Sequence, residues 1–271
     1  MSSGDQRERG KLFNEVPALY ERVRPSYPDE LFTDLVAVTG VDATSSVLEI
    51  GCGTGQATRP LAQLGCHVTA IEPGVEMADL ARQRMAELPN VAIETATFER
   101  WDEQDRRFDL IVAASSWHWI DPSIGWARAH AILQPAGWLA LLGHVVIRRT
   151  DDLEVYAATA DLHEHFAPDN PDWGHPPLEH EVRATSDGWG PPNEDRDGLF
   201  GETVVRWYPT VQHFDGEGFA DLLRTLSPYR RLDASVREPL LDAIAQRIRT
   251  TLDDHATRHY LTVLRAGQGA H

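Results

Sequence analysis

The stretch that most constrains the fold is a short apolar run leading into a glycine-rich turn, Val47-Leu48-Glu49-Ile50-Gly51-Cys52-Gly53-Thr54-Gly55-Gln56. A helical pattern follows from Ala57 to Leu64. Such a turn needs glycine because glycine reaches backbone angles that a Cβ forbids and lets a ligand approach the main chain. In an open α/β sheet, ligands bind in the crevice beyond the carboxyl ends of the strands. The stretch therefore predicts an α/β sheet with a ligand site at this turn.

Strand-like and helical patterns alternate over residues 46–143, which implies right-handed βαβ units and a parallel sheet. The sequence predicts strands at Val47–Ile50, His67–Ile71, Val91–Glu94, Phe108–Ala114, Trp138–Leu142, Thr203–Phe214 and His259–Leu264. It predicts further helices at Asp29–Val38 with Asp29 as N-cap, at Val75–Leu88, Asp152–Phe166, Gly218–Thr225 and Pro239–Leu252. The proline- and glycine-rich remainder of residues 148–200 predicts no regular structure.

Four segments follow from these patterns. Residues 1–40 form an N-terminal arm and helix, and residues 41–147 form the core that carries the glycine turn. Residues 148–202 form an inserted cap or lid, because a structureless loop this long inside a compact domain is usually functional or disordered. Residues 203–271 complete the sheet with the last strands and helices.

The spacing of the residues in the turn restricts the class of ligand that it can bind. The dinucleotide fingerprint requires a third glycine where this chain has Gln56, and no Gly-Lys-Ser/Thr of a P-loop follows. Glu72 stands at the carboxyl end of the second strand, where a carboxylate accepts hydrogen bonds from both hydroxyls of a ribose. The alternative for Glu72 is a helix-capping acid. Together these features favour an adenosine-containing ligand.

The pattern E-x-G-x-G-x-G resembles motif I of the class I S-adenosylmethionine-dependent methyltransferases. The segment Tyr20–Pro28 resembles the N-terminal arm of small-molecule members, including those like trans-aconitate methyltransferase. This resemblance implies that residues 1–40 close over the cofactor-binding core. Alternatively, the segment is a surface arm that its tyrosines hold in place. Ala96–Trp101 resembles the adenine-contacting loop, Leu133–Gly137 the turn before the fifth strand, and Leu222–Tyr229 the C-terminal half of relatives with an H-W-x-D motif. The resemblance implies a Rossmann-like fold: a seven-stranded, mostly parallel sheet with helices on both faces, plus an inserted cap.

The resemblance also implies the cofactor, S-adenosylmethionine, and the residues around it. The glycine loop backs the methionine end, Thr97 reaches the adenine amino group, and Phe98 covers the ring. In full, the residues expected to bind the cofactor are Glu49, Gly51, Cys52, Gly53, Gly55, Gln56, Glu72, Pro73, Thr97, Phe98, Ser115, Trp119, Tyr20 and Arg24.

The turn after the fourth strand is the expected place of chemistry. It reads Ser115-Ser116-Trp117-His118-Trp119 and lacks the Asn/Asp-Pro-Pro-Tyr motif of amide and exocyclic amine acceptors. His118 is the candidate catalytic residue, as general base for a hydroxyl. Alternatively, it only orients the cofactor or packs between tryptophans. The residues expected to contact the acceptor are Arg22, Tyr27, His144 and Trp117, with arginine suited to a carboxylate.

The formal net charge of −17 offers no basic face for nucleic acid, and no apolar run reaches the length of a membrane span. Two cysteines, Cys52 and Cys66, fit a reducing compartment. We therefore expect a cytoplasmic monomer or homodimer acting on a small molecule. No metal is expected, because the histidines of the cap lack ligand spacing.

Three functions remain open at this point. The leading one is transfer of a methyl group to a hydroxyl or carboxylate of a small molecule. The second is a protein of the same fold that keeps the cofactor without transferring its methyl group, as a regulator or a cyclase-type catalyst. The third is a nicotinamide oxidoreductase, against which Gln56 argues.

Overall fold

The structure of the protein is a computed structural model, which describes residues 17–149, 154–168, 174–185, 189 and 196–270. The strands are β1 (Ser46–Ile50), β2 (His67–Ile71), β3 (Val91–Glu94), β4 (Phe108–Ala114), β5 (Leu133–Ile147), β6 (Val204–Phe214) and β7 (Ala256–Gln268). They form one seven-stranded sheet in the order β3-β2-β1-β4-β5-β7-β6.

The α-helices cover both faces of the sheet, and two of them lie in residues 148–202, the segment predicted to be a cap. They are α1 (Pro17–Val23), α2 (Asp29–Thr39), α3 (Thr58–Gln63), α4 (Val75–Met85), α5 (Pro122–Ala131), α6 (Glu154–Phe166), α7 (Glu179–Thr185), α8 (Gly216–Arg224), α9 (Ser227–Arg230) and α10 (Ala234–Thr251). None of these helices is long and apolar enough to cross a membrane.

The strand order explains where the site lies. β1 pairs in parallel with β2 on one side and with β4 on the other, so the order of the strands reverses between β1 and β4. At such a switch point the connections leave in opposite directions and open a crevice beyond the carboxyl ends of the strands. The glycine turn and the turn after β4 both lie at this crevice.

Among the strands of the described residues, only β7 reverses the direction of the sheet. It is antiparallel to β5 on one side and to β6 on the other, so β6 runs parallel to β5. The prediction of a seven-stranded, mostly parallel α/β sheet with helices on both faces is therefore confirmed.

Apolar side chains fill both faces of the sheet and the space under the cap. Val47 and Leu110 are completely buried on one face, and Leu48 and Ile111 are completely buried on the other. Strands buried on both faces read as continuous apolar runs, which is why the central strands were evident in the sequence. A third cluster joins α6 to α8 and α10, and Val155 is its contribution from the cap.

Several predicted boundaries were wrong. β5 and β7 extend well beyond their predicted apolar centres because they pair with each other along ten successive positions, from Trp138 opposite Gln268 to Ile147 opposite His259. Asp29 is the first residue of α2 and not its cap, which is Pro28. A helix, α7, lies in the part of the cap that was predicted to be irregular. The beginning of the helix predicted from Asp152 lies outside the described residues.

Candidate active site

The glycine turn leaves β1 with each of its three glycines in the left-handed region. The φ angles of Gly51, Gly53 and Gly55 are 69°, 57° and 90°. A Cβ built on Gly51 would lie 2.6 Å from the Cβ of Ser116, and one on Gly55 would lie 2.9 Å from Met85 Cε. A Cβ on Gly53 meets no heavy atom within 4 Å. Gly51 and Gly55 therefore serve close packing, whereas Gly53 borders open space in the crevice.

The carboxylate of Glu72 lies against this turn. One of its oxygens accepts a hydrogen bond from the backbone N–H of Gly53 at 2.9 Å, and the other accepts one from Gly74 N–H at 2.8 Å. Gly74 is the N-cap of α4, so the acid supports the helix start as well as the turn. Burial raises the pKa of Glu72, and the two N–H donors oppose that rise.

Glu49 lies deeper, at the carboxyl end of β1, and is completely buried. Its Oε2 accepts a hydrogen bond of 2.6 Å from the hydroxyl of Thr58, while its Oε1 is buried with no hydrogen-bond partner among the described residues. Burial raises the pKa of Glu49 to about 7, with a smaller contribution from the charge of Glu72. This acid therefore has one oxygen left to accept a hydrogen bond from a ligand.

The N-terminal arm closes the other side of the crevice. Arg24 follows α1, donates a hydrogen bond of 2.8 Å to the carbonyl of Thr225, and lies over the ring of Tyr20 at 4.8 Å. The hydroxyl of Tyr27 is 2.8 Å from Ser115 Oγ, in the turn after β4. Ser115 itself has a φ of 56°, an uncommon conformation for a residue with a Cβ. The arm is thus hydrogen-bonded to the sheet at the predicted site.

Two histidines lie near the positive charge of Arg24. His144 is inside β5, stacks on Tyr27 with ring centroids 4.5 Å apart, and has Nδ1 at 2.8 Å from Thr262 Oγ1. Its Nε2 is buried and has no hydrogen-bond partner among the described residues. Burial, and then the charge of Arg24, lower the pKa of His144 to about 4.

His118 follows β4 and keeps part of its surface exposed. Desolvation by the surrounding protein lowers its pKa, and the charge of Arg24 lowers it further. Its ring centroid is 4.7 Å from that of Trp119. Both histidines are therefore neutral at neutral pH, as a proton acceptor must be.

The remaining predicted residues occupy more varied positions. Gln56 is half-buried beside the turn and Pro73 is exposed after β2. Cys52 is buried, and this burial raises the pKa of its thiol. Thr97 is exposed at the start of a 3-10 turn, whereas Phe98 beside it is 3% exposed and packs in the core. Little of the Phe98 ring is thus available to cover a ligand, and its contact with adenine stays a prediction.

Two residues predicted to contact the acceptor have other partners. The side chain of Arg22 is 67% exposed and forms an ion pair with Asp221 on α8. Trp117 packs edge-on against Trp126, with ring centroids 4.7 Å apart, and lines a cavity of 210 Å³ together with His118. Neither contact joins these side chains to Tyr27 or His144, so their role in acceptor binding stays a prediction.

Sequence reasoning missed the supporting residues. Thr58 binds Glu49, and the hydroxyl of Thr54 donates to Glu21 of the arm. Thr262 binds His144 from a strand 118 positions away. Only Thr58 carried a local signal, as a hydroxyl at the start of the helix after the turn.

A family model described as a methyltransferase domain matches residues 47–137. An uncharacterized methyltransferase of Mycobacterium tuberculosis is 34% identical over 137 residues, which cover 51% of this chain and 54% of that protein. Trans-aconitate 2-methyltransferase of Paracidovorax citrulli is 34% identical over 134 residues, 46% of this chain and 48% of that protein. The chain thus spans about half the length of the curated relatives it matches.

Solved structures share the fold over most of the chain. One described as a type II methyltransferase from Anaeromyxobacter dehalogenans has a TM-score of 0.62 and 23% identity, covering 90% of this chain and 97% of its own. A Haemonchus contortus phosphoethanolamine N-methyltransferase, solved with S-adenosylhomocysteine, has a TM-score of 0.55 and 14% identity, covering 100% of this chain and 61% of its own. Residues 47–137 thus form a methyltransferase domain, and its motif at Glu49–Gly55 is similar to that of the class I S-adenosylmethionine-dependent methyltransferases.

Proposed function

We propose that this protein binds S-adenosylmethionine in the crevice between β1 and β4 and transfers its methyl group to a hydroxyl or carboxylate oxygen of a small molecule. The observation that carries the proposal is the space beside Gly53, where a built Cβ meets no atom within 4 Å, next to the buried carboxylate of Glu72. This is a cradle that a side chain would fill, with an acceptor for ribose hydroxyls at its edge.

The residues present fit this cofactor. The backbone at Gly53 would lie against the methionine moiety, and Glu72 has lone pairs left for the ribose hydroxyls. The unpartnered Oε1 of Glu49 is a further acceptor in the same crevice. When bound, S-adenosylmethionine supplies a sulfonium methyl carbon, which an acceptor oxygen takes up as the carbon–sulfur electron pair returns to sulfur.

The chain's own contribution is to place the acceptor and hold a proton. Tyr27 and the arm would exclude water and fix the acceptor in line with the methyl carbon. His118 is the proposed general base for a hydroxyl, because it keeps part of its surface exposed to a ligand, whereas the buried His144, with a pKa of about 4, makes a weak base. His144 would then hydrogen-bond the acceptor through Nε2.

Two further observations support a small acceptor. The net charge of −17 repels the phosphates of nucleic acid at long range. The relative named trans-aconitate 2-methyltransferase has a carboxylate-bearing molecule in its name, which supports an acceptor with carboxylate or hydroxyl groups.

Calorimetry with S-adenosylmethionine tests the proposal, and two glycines give a matched pair of variants. Gly53 and Gly40 both have positive φ, 57° and 72°, and a Cβ on either meets nothing within 4 Å. Gly53→Val and Gly40→Val should therefore carry similar backbone strain, about 1–2 kcal/mol. Only Gly53→Val should lose cofactor binding, because its side chain occupies the cradle. Absence of binding by the unaltered protein at millimolar cofactor would contradict the proposal, and near-normal affinity of Gly53→Val would contradict the cradle.

A further inference from the structure

A second cavity, of 380 Å³, lies between the cap and the sheet. Helix α6, the turn at residues 174–177, and helices α8 and α9 surround it, and β5 and β7 form its floor. Its walls are mainly apolar, with Val146, Val155, Pro176, Leu223 and Leu226 among the lining side chains. No acidic side chain is among the described residues that line it.

Arg258 of β7 brings a positive charge into this apolar cavity. Its Nε is buried without a hydrogen-bond partner, and in the described part of the chain its guanidinium makes no ion pair. The guanidinium makes a cation–π contact with the ring of Tyr260, whose centroid is 5.7 Å from Arg258 Cζ. Other partly buried arginines, such as Arg224 and Arg106, pair with carboxylates.

This arrangement favours an anion. A guanidinium does not lose its proton in a protein, so Arg258 stays charged whatever its surroundings. Arg258 is half-buried, and its buried Nε–H has no acceptor. A buried donor is costly without an acceptor, and the contact with Tyr260 compensates only in part. Because Arg258 supplies a single full charge, a monoanion such as a carboxylate matches it better than a phosphate dianion.

The cavity lies on the same sheet face as the proposed methyl-transfer site. In the register of β5 and β7, His144 is opposite Thr262 and Val146 is opposite Tyr260. Side chains alternate along a strand, so Arg258, Tyr260 and Thr262 share one face. His144 contacts both Thr262 and Tyr260, which places His144 on that face too. Arg258 is four residues from Thr262, or about 13 Å along the strand.

We infer that this cavity is the acceptor pocket, and that Arg258 binds a carboxylate of the acceptor remote from the atom that is methylated. The acceptor would be an elongated carboxylate with an apolar body that lies under the cap. Its methyl-accepting end would reach His144, about 13 Å from the carboxylate. This inference rests on the proposed function and identifies the class of its acceptor.

The test uses the full chain with saturating S-adenosylhomocysteine and a series of phenylalkanoates with two to five methylenes, each paired with its neutral phenylalkanol. Calorimetry should show at least one carboxylate binding about tenfold or more tighter than its alcohol, as expected for hydrogen bonds to a charged group. Arg258→Gln should remove this preference and leave the affinity for the alcohol unchanged, whereas Arg258→Lys should retain part of it. Arg206→Gln, an exposed arginine on neighbouring β6, is the matched control and should change neither affinity.

The outcomes separate this inference from the proposed function. If S-adenosylhomocysteine binds but no carboxylate does, or if Arg258→Gln keeps the carboxylate preference, the acceptor pocket is wrongly assigned. An equal loss of carboxylate and alcohol binding in Arg258→Gln would mean that the residue only shapes the cavity, which also overturns the inference. Failure of the unaltered protein to bind S-adenosylhomocysteine contradicts the proposed function instead.

Discussion

Arg24 is the residue of the arm whose charge acts on both His118 and His144. It brings a positive charge close to two histidines from different strands, and it has no carboxylate partner within the described residues. Burial is the larger cause of the lowered pKa of His118 and of His144, and repulsion from Arg24 adds to it in both. The charge of Arg24 in the arm therefore contributes to the pKa of both histidines.

Removing that charge should raise the pKa of both imidazoles. In Arg24→Gln the imidazolium forms lose a repulsive neighbour, so each histidine takes up its proton at higher pH than in the unaltered protein. The acidic limb of any rate that depends on neutral His118 should move to higher pH in the same way. Titration of the imidazole C–H signals by NMR measures the shift without a known acceptor.

Arg22→Gln is the control for this experiment. Arg22 belongs to the same arm, but its side chain is largely exposed and paired with Asp221, so its loss should leave both histidine titrations unchanged. Equal titrations in Arg24→Gln and the unaltered protein would mean that burial alone sets these pKa values.

The sequence revealed some site residues and concealed others. The glycine turn and Glu72 were readable because they lie close together in the chain, and their spacing alone defines a ligand loop. Thr262 could not be found, because it acquires its role from its position opposite His144 of β5. The proposed role of Arg258 could not be found either, because residues from distant parts of the chain form its cavity. Phe98 was expected over adenine, but its packing against the core depends on the helices of that face.

At the scale of elements, the arm is attached to the rest of the molecule by side-chain contacts. Tyr27 joins it to the turn after β4, Arg24 joins it to the end of α8, and Glu21 joins it to Thr54 in the glycine turn. The arm therefore contacts both sides of the proposed cofactor crevice. Order in the arm and order in the turn after β4 should depend on each other.

Tyr27→Phe tests this dependence. The variant removes the hydrogen bond to Ser115 and keeps the ring, with an expected loss of about 1 kcal/mol, or about fivefold in local opening. Amide hydrogen exchange should become faster by that amount in residues 17–28 and 115–119. Tyr208→Phe is the matched control, since it removes a phenol that donates to Asp34 of α2 at 2.6 Å. Equal effects of the two variants on residues 115–119 would contradict a specific link between Tyr27 and the turn.

Element boundaries show where sequence patterns stop being informative. The apolar centres of β5 and β7 were recognised, but their ends are set by mutual hydrogen bonding that runs past the last apolar residue. Helix α7 was missed because prolines and glycines dominate the composition of the segment that surrounds it. Its burial of Val182 against Ile147 and Leu261 comes from the tertiary structure.

At the scale of the whole molecule, buried histidines couple stability to pH. His163 of the cap helix is 1% exposed. Its Nδ1–H donates to the carbonyl of Thr159 at 2.9 Å, and its Nε2 therefore accepts from the hydroxyl of Tyr229 at 2.7 Å. Burial lowers the pKa of His163 to about 4. The cap thus packs on α9 through a neutral imidazole.

The stability of the protein should accordingly fall between pH 6.5 and pH 4. Over this range the unfolded chain binds a proton at residue 163 that the folded protein does not, so unfolding takes up protons and is favoured as pH decreases. His163→Gln should reduce the slope of the free energy of unfolding against pH by up to about 1.4 kcal/mol per pH unit. Chemical denaturation across this range measures that slope. His165→Gln, an exposed position on the same helix, should preserve the slope of the unaltered protein. An unchanged slope in His163→Gln would show that His163 is not buried in its neutral form.

The reversed strand β7 has a consequence for how the chain is made. Among the described strands, β6 pairs only with β7, and β7 also supplies the partner for the open side of β5. On the ribosome, β1 to β5 can pair as each emerges, but β6 emerges with no neighbour to bind. β7 must then enter between two strands that are already synthesised. Until β7 has left the ribosome, the open side of β5 and both sides of β6 have no partner and are exposed to other nascent chains. We expect a chaperone to matter most at this stage of synthesis.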